Sequence, residues 1–423
     1  MSAAVAGGAA RLLPAVPSAE GYTAHLATAG PLPAFSGDEL IAELGRAGLT
    51  GHGGAAFPAA LKWQAVAERS RARGAVVVGD AMETEPASLK DRTLLALRPH
   101  LVFDGMLLAA SAMRARRVVL CVASSSDALA RTLVAALAER RRAAPHEPRI
   151  ELVTSPSRYI AGEETALISR LNGRRALPRA VPPRPFATGV DGLPTLVNNV
   201  ETFAHAALIA RRGARWFRSV GSAAAPGTTL LSVCGGVAAP GVKEMAYDST
   251  IGQVVAAAGG PAGDPVAVLV GGYFGRWAPA ATAWSLTLEP GSLRRAGLAL
   301  GAGVIAVLPR DACGVAETDR ILAFMARESS GQCGPCSRGL PALAALFHDT
   351  ALGRARPGVL ETCARWSLEI RGRGACRHPD GATLMAASAL EVFHDELRRH
   401  LRHGPCRESA RPPLLPTPVL TGR

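Results

Sequence analysis

Lysine is almost missing from this chain of 423 residues and occurs only at positions 62, 90 and 243. Asparagine is as scarce, at 172, 198 and 199, and aromatic residues make up only 4%. Arginine carries nearly all the basic charge, leaving a formal net charge of +13 alongside abundant Ala, Gly and Pro. That bias is the mark of a GC-rich genome, so the number of arginines says little about function. The scarcity says more. Where Arg could serve, drift would have supplied it, which singles out Lys62, Lys90, Asn198 and Asn199 as residues whose own chemistry is required.

Other absences exclude whole classes. No apolar run reaches the roughly eighteen residues that span a bilayer. The Ala/Gly-rich stretch from Met1 to Gly30 lacks the basic-then-apolar order of a signal peptide. The eight cysteines are scattered, which argues against a disulfide framework and for a reducing compartment. No zinc-finger, helix-turn-helix or RNA-binding signature accompanies the positive charge, so nucleic acid ranks low and an acidic protein partner is expected. The expected location is cytoplasmic, or peripheral to a membrane complex.

What is present centres on Glu328-Ser-Ser-Gly-Gln-Cys-Gly-Pro-Cys-Ser-Arg-Gly339. Cys333 and Cys336 stand two residues apart in a Gly/Pro-rich turn, where thiolates and backbone N–H groups can converge on one metal centre. Ser330 takes the place of the first thiol in a Cys-x2-Cys-x2-Cys run, and Cys376 lies downstream. Serine alkoxide can ligate iron, but an alcohol is a far weaker acid than a thiol. The readings that stand are a [4Fe–4S] cluster with Ser330 as fourth ligand, a [3Fe–4S] cluster or one with an open iron, and a set completed by Cys363 or His378. A Cys3His set also suits structural zinc. Cys121 and Cys234 fall in strand-like apolar runs. Cys313 begins a helix, Cys406 lies in the tail, and His394, His400 and His403 fall on a solvated basic helix; all seven look incidental.

Upstream, Gly51-His-Gly-Gly-Ala-Ala-Phe-Pro-Ala-Ala-Leu-Lys-Trp63 places three glycines before a helix opening near Pro58, a pattern that exposes successive N–H groups to an anion. Strand-like runs at 75–79, 117–123 and 150–154 alternate with helical patterns over 94–112 and 126–142, which predicts a parallel, layered α/β sheet with its ligand crevice at the strand C-termini. Asn198-Asn-Val-Glu-Thr202 opens another helix. Short strands at 229–233, 241–245 and 266–270 with a helix over 250–258 predict a compact mixed-β module. Helices are expected over 339–347, 358–370 and 380–403. The resulting domains are an N-terminal extension (1–36), an α/β domain (37–226), a β module (227–310), a helical domain (311–403) and a disordered tail (404–423).

The ordered set Gly51–Trp63, Glu83–Arg92, Tyr159–Leu167, Leu193–Thr202 and Glu328–Gly339 resembles the flavin- and NADH-binding subunit of NADH:quinone oxidoreductase (complex I) and its relatives in NAD-linked hydrogenases and formate dehydrogenases. The resemblance runs from about Leu40 to His403 and identifies a divergent paralogue. It implies a Rossmann-like domain holding flavin mononucleotide (FMN), a β-grasp module of the soluble-ligand-binding type, and a helical bundle carrying an iron–sulfur cluster. NADH would reduce the flavin, and electrons would pass singly to the cluster and on to a partner subunit, an acidic ferredoxin or a quinone reductase.

Carried over by position, Lys62 and Glu83 are the catalytic candidates. Gly51, Gly53, Gly54, Phe57, Lys62, Asp80, Glu83, Glu85, Tyr159, Gly162, Glu163, Glu164, Asn198 and Asn199 would bind the flavin or dinucleotide. Cys333, Cys336, Cys376 and Ser330 would hold the cluster. The chain departs from the family at His52 (Arg), Ala56 (Gly), Asp80 (Asn) and Met82 (Asp), and the aromatics expected around adenine are Ala65 and Arg184. Flavin binding is therefore expected to outlast tight NADH binding. Two alternatives stand beside the oxidoreductase: an adaptor or scaffold with a degenerate donor site, ferredoxin-linked, and a ligand-binding module built on residues 227–310.

Overall fold

The computed structural model of the protein describes residues 3–5 and 11–418, whose ten strands fall into two sheets. In chain order they are β1 (Ala3–Val5), β2 (Ala75–Ala81), β3 (Ala115–Ala123), β4 (Ile150–Ser155), β5 (Thr195–Asn199), β6 (Thr228–Gly235), β7 (Gly241–Ala246), β8 (Pro265–Val270), β9 (Arg276–Pro279) and β10 (Val304–Pro309).

The first sheet is parallel throughout, in the order β4-β3-β2-β5. Because side chains alternate across a strand, β2 feeds two cores at once. Ala75 and Val77 join the core under helices Gly37–Ala47, Pro99–Ala112 and Val200–Phe217, while Val76 and Val78 join the smaller core under helix Glu164–Leu171. From β2 the chain adds β3 and β4 on one side and then returns to place β5 on the other, so the strand order reverses between β2 and β5. A crevice opens beyond the strand ends at such a switch point. It is flanked by Asp80 and Asn199, which are register partners.

The second sheet is mixed, in the order β1-β7-β6-β10-β8-β9. One face, with Val268, Val270, Ile305 and Val307, packs on helix Ile251–Ala257. The other, with Ala267, Leu269, Val304 and Ala306, packs on the C-terminal helices, chiefly Gly314–Arg327, Leu340–Ala351 and His378–Val392. The sheet is thus the wall between its own helix and the bundle that carries the cysteine loop.

Three expectations are corrected. The helix expected over 94–112 is two helices, Lys90–Leu97 and Pro99–Ala112, meeting at 96°, because proline cannot continue a helix and constrains the residue before it. The helix expected over 380–403 likewise breaks at Phe393, between His378–Val392 and His394–His403. The tail expected to be disordered lies on the bundle as far as it is described. Leu415 is buried, and the Leu414 and Leu415 N–H groups donate to the Glu317 carboxylate at 3.0 and 3.1 Å. A buried carboxylate needs those donors, and the apolar Leu415 supplies the burial. Residues 419–423 lie outside the described part. No single described helix is long and apolar enough to cross a membrane.

Helices Pro99–Ala112 and Val200–Phe217 touch closely at Gly105, where a Cβ would lie 1.9 Å from the Phe203 carbonyl oxygen. Gly105→Ala must force the helices apart. The expected loss is about 2–3 kcal/mol of stability, at the upper end for overpacking, measured by urea unfolding.

Candidate functional site

The glycine-rich loop is closed by Gly51 N–H donating to the Phe57 carbonyl at 2.8 Å and leaves Gly53 to Phe57 exposed. Gly54 has φ +104°, which glycine adopts freely, but Ala56 is held at φ +48° at some cost, in the position where the family pattern has a glycine. His52 does not replace the expected arginine. Its ring is buried, lies 4.8 Å from that of His205, and its Nε2 is 3.1 Å from the Tyr247 hydroxyl. Burial keeps that imidazole neutral. The loop therefore has no cation of its own on the exposed side.

Lys62 supplies one from the next helix, Ala59–Ser70. Its Nζ donates to the Val197 carbonyl at 2.6 Å and pairs with Glu164 at 3.1 Å, with about a quarter of the side chain still exposed. The ammonium therefore stands beside the end of β5. Asn198 is less available. With its oxygen facing the Trp63 indole it accepts from Nε1 at 2.9 Å, which anchors the helix carrying Lys62. Asn199 caps helix Val200–Phe217 by accepting from Glu201 N–H at 2.9 Å and donates to Asp91 at 2.7 Å.

Glu83, a catalytic candidate from the sequence, is committed elsewhere. Its carboxylate accepts from Ser88 Oγ (2.7 Å), Asp91 N–H (3.0 Å), Arg92 N–H (3.0 Å) and Arg92 Nε (3.2 Å). The two N–H groups are free donors at the start of helix Lys90–Leu97, so Glu83 caps that helix from a distance. Its lone pairs have no capacity left for a proton-transfer role. Glu85 differs. It accepts from Tyr159 Oη and Tyr273 N–H, each at 2.9 Å, while its Oε1 is buried without a partner. Burial raises this carboxyl to about 7, so near neutrality it exists partly as a neutral acid with a donor to offer.

The loop after β4 joins the crevice to the cysteine region. Tyr159 packs against Phe274, Phe324 and His378, and its N–H donates to Glu328 at 3.1 Å. Gly162 admits the loop against Met82, whose carbonyl oxygen would lie 3.0 Å from an added Cβ. Glu163 caps helix Glu164–Leu171 through Thr165 and Ala166 N–H. Its charge also acts on Cys376.

Cys333, Cys336, Cys376 and Ser330 lie near enough to influence one another, although the three sulfurs are not mutually within 4.8 Å. Cys333 is the thiol held below its usual range, with burial opposed by N–H groups of Ala375 and Cys336. Cys336 is raised by burial, with the nearby Ser330 acting against the shift. Cys376 is pushed up to about 11 by burial and by the neighbouring Cys336, Glu163 and Cys333 charges. The segment Pro335–Gly339 is a turn of π-helix, a distortion common at functional sites, and Cys336 within it is buried. The two alternative ligands fare differently. Cys363 lies in the apolar core, where burial alone acts on its thiol. His378 spends Nε2 on the Met325 carbonyl at 2.8 Å.

Sequence reasoning missed a second group. Cys313, His400 and Cys406 look incidental in the sequence, yet the chain folds them into one cluster with Glu396, and His400 is fully buried rather than solvated. With Cys313 more than eighty residues ahead of the other three, no motif was there to read.

The crevice residues suit FMN in part. The exposed glycine loop fits a phosphate-bearing tail, Lys62 supplies a cation, and the orphaned Glu85 oxygen invites a polar partner. Asp80 is the misfit, since an amide both donates and accepts whereas a carboxyl donates only while it holds its proton. Residues 44–207 match the Nuo51 FMN-binding domain family, and residues 316–400 match the NADH-ubiquinone oxidoreductase-F iron-sulfur binding region. The F subunits of NADH-quinone oxidoreductase from Salmonella typhimurium and from Escherichia coli are each 32% identical over 389 residues, covering 88% of this chain and 86% of theirs. The crystal structure of an NAD+-reducing [NiFe]-hydrogenase in the air-oxidized state superposes with a TM-score of 0.81 at 32% identity, over 90% of this chain and 65% of that one.

Asp80 gives a pH signature. Burial raises it from 3.8 to about 7, so the folded state holds this proton more tightly than the unfolded chain between those values. Its contribution is complete below about pH 4 and is lost as pH rises through 7. Asp80→Asn should therefore be the more stable protein at pH 8, by about 1–2 kcal/mol since Asp80 keeps some solvent contact, and gain nothing at pH 4. Urea unfolding of both proteins at the two pH values measures it.

Proposed function

The chain belongs to the family of NADH-quinone oxidoreductase F subunits, and from that premise we propose that it passes electrons from NADH through FMN to an iron–sulfur cluster and on to a partner subunit. The observation that carries this reading is the Tyr159–Glu164 loop, which meets Lys62 at the crevice through Glu164 and the cysteine loop through Glu328. Bound FMN would supply the conversion of a two-electron donor into single-electron steps. The residues prepare its surroundings. Gly53 and Gly54 let backbone N–H groups face the phosphate while Gly51 closes the loop, and Lys62 sets a positive charge where reduction adds a negative one. Phe57, 53% exposed, offers a stacking face at the crevice mouth. Cys333, Cys336 and Cys376 hold the iron, with Ser330 as a weak fourth ligand. The mixed sheet with helix Ile251–Ala257 is read as the β-grasp module.

Relatives named as part of NADH-quinone oxidoreductase and as an NAD+-reducing hydrogenase support a place in a multi-subunit assembly. The net charge of +13 favours an acidic partner. A second reading, an adaptor fed by a ferredoxin-like carrier, is favoured by one observation. At the positions of the adenine-stacking aromatics, Ala65 is half-buried on the first helix after the glycine loop and Arg184 is exposed. Only the latter has a planar group to stack.

Two measurements follow. In anaerobic titration of the holoprotein, flavin bleaching should require far more than micromolar NADH, and Ala65→Phe should lower the required concentration about threefold to tenfold. Bleaching of the parent at micromolar NADH would remove the weakened-donor part. On exposure to air the parent should lose one iron and give the electron paramagnetic resonance signal of a three-iron cluster. Ser330→Cys should retain four irons per chain. Equal iron retention by the two proteins would show that Ser330 is not a ligand.

A further inference from the structure

We propose that Cys313, Glu396, His400 and Cys406 bind one zinc ion that fastens the C-terminal segment to the start of the helix leading into the cluster loop. The site is independent of Cys333, Cys336 and Cys376. One ligand atom from each of its four residues lies within 4.8 Å of every other. Tetrahedral zinc with two sulfur ligands and two from nitrogen or oxygen puts neighbouring ligand atoms about 3.5–3.8 Å apart. The Cys313 Sγ to His400 Nε2 separation is already 3.8 Å, so closing the site takes adjustment of the side chains and of the Cys406 backbone.

The donors are arranged as a metal requires. His400 Nδ1 is 2.7 Å from the Ala351 carbonyl oxygen. A carbonyl only accepts, so the ring proton is on Nδ1 and the Nε2 lone pair faces Cys313. A backbone carbonyl fixing the tautomer of a ligand histidine is the usual outer-sphere arrangement. The Nε2 lone pair is otherwise met only by the Cys406 N–H at 3.2 Å. Cys313 stands immediately before a helix. Its sulfur caps helix Gly314–Arg327 by accepting from Ala316 N–H at 3.2 Å, and that positive helix end would steady the thiolate once a cation displaces the proton. Cys313 and His400 are buried while Glu396 and Cys406 are partly open, which leaves an entry path. Zinc binding would form two Zn–S bonds and one bond each to nitrogen and oxygen, releasing the two thiol protons to solvent without any redox change.

The ligands come from three places: the start of helix Gly314–Arg327, helix His394–His403, and the segment after it. Glu317, one turn into the first helix, already receives Leu414 and Leu415. The other end of that helix leads directly into Glu328 and the cluster loop. Zinc would thus brace one end of the helix from whose other end the cysteine loop springs.

The test uses the full chain purified without oxygen from zinc-supplemented cells. The expected result is one zinc per chain, with X-ray absorption giving two sulfurs at about 2.3 Å and two nitrogen or oxygen ligands at about 2.0–2.2 Å. Cys333→Ser/Cys336→Ser should lose iron and keep zinc. Cys313→Ser/Cys406→Ser should do the reverse, and its segment after residue 404 should become protease-sensitive. Should that variant fold poorly, cobalt added to the metal-stripped parent should give the intense visible bands of tetrahedral thiolate ligation and release about two protons. Cys406→Ala should weaken cobalt binding by more than about 100-fold. No zinc, zinc retained after loss of Cys313 and Cys406, or three sulfurs around the zinc would overturn the proposal. The three-sulfur result would mean that zinc occupies the Cys333 site, which is also the failure of the iron–sulfur reading.

Discussion

A buried ammonium holds the crevice in shape. Lys90 lies at the start of helix Lys90–Leu97, with Nζ 2.7 Å from Asp91 and 2.9 Å from Glu201. Glu201 opens helix Val200–Phe217 and also accepts from Leu230 N–H at 2.8 Å on β6, in the other sheet. Asp91 in turn accepts from Asn199. One cation thereby ties the end of β5, the helix capped by Glu83, and the mixed sheet. Its neighbours hold Glu201 at about 2 despite full burial. Such a network adds little net energy compared with apolar packing, but removing one partner leaves a buried charge unpaired and costs about 3–5 kcal/mol. Its effect is geometric. It links the two sheets beside the glycine loop.

That network explains what the scarce residues could and could not reveal. The shortage of Lys and Asn drew attention to particular positions, but it could not separate contact with a ligand from burial. Lys62 stands beside the crevice with part of its surface free. Lys90 and Lys243 are buried, and Asn199 works as a helix cap. Both kinds of requirement leave the same trace in one sequence. Burial decides between them, and burial depends on which strands become neighbours.

Legibility followed sequence distance. The strands β2, β3 and β4 were readable from their apolar runs, and the Cys333–Cys336 pair from its close spacing. The strand β5 was hidden inside a motif that looks like the opening of a helix, because Asn199 ends the strand and caps the helix at once. Glu83 looked catalytic because a carboxylate in a conspicuous motif reads the same whether it meets a substrate or a set of backbone and side-chain donors. The grouping of Cys313, Glu396, His400 and Cys406 was invisible for a different reason. It exists only after the helical bundle has closed on itself.

The departures from the family pattern are not spread evenly. Ala56, Asp80, Met82, Ala65 and Arg184 belong to the positions expected to meet the flavin edge or the dinucleotide and Ser330 to the cysteine loop, whereas the contacts between the two, from Glu83 to the helix start and from Tyr159 to Glu85 and Glu328, are in place. Loss of function without replacement would erode both sides, since a frame with nothing to hold gains nothing from its buried ion pairs. The constraint therefore lies between the crevice and the cysteines, and the freedom lies at the entrance.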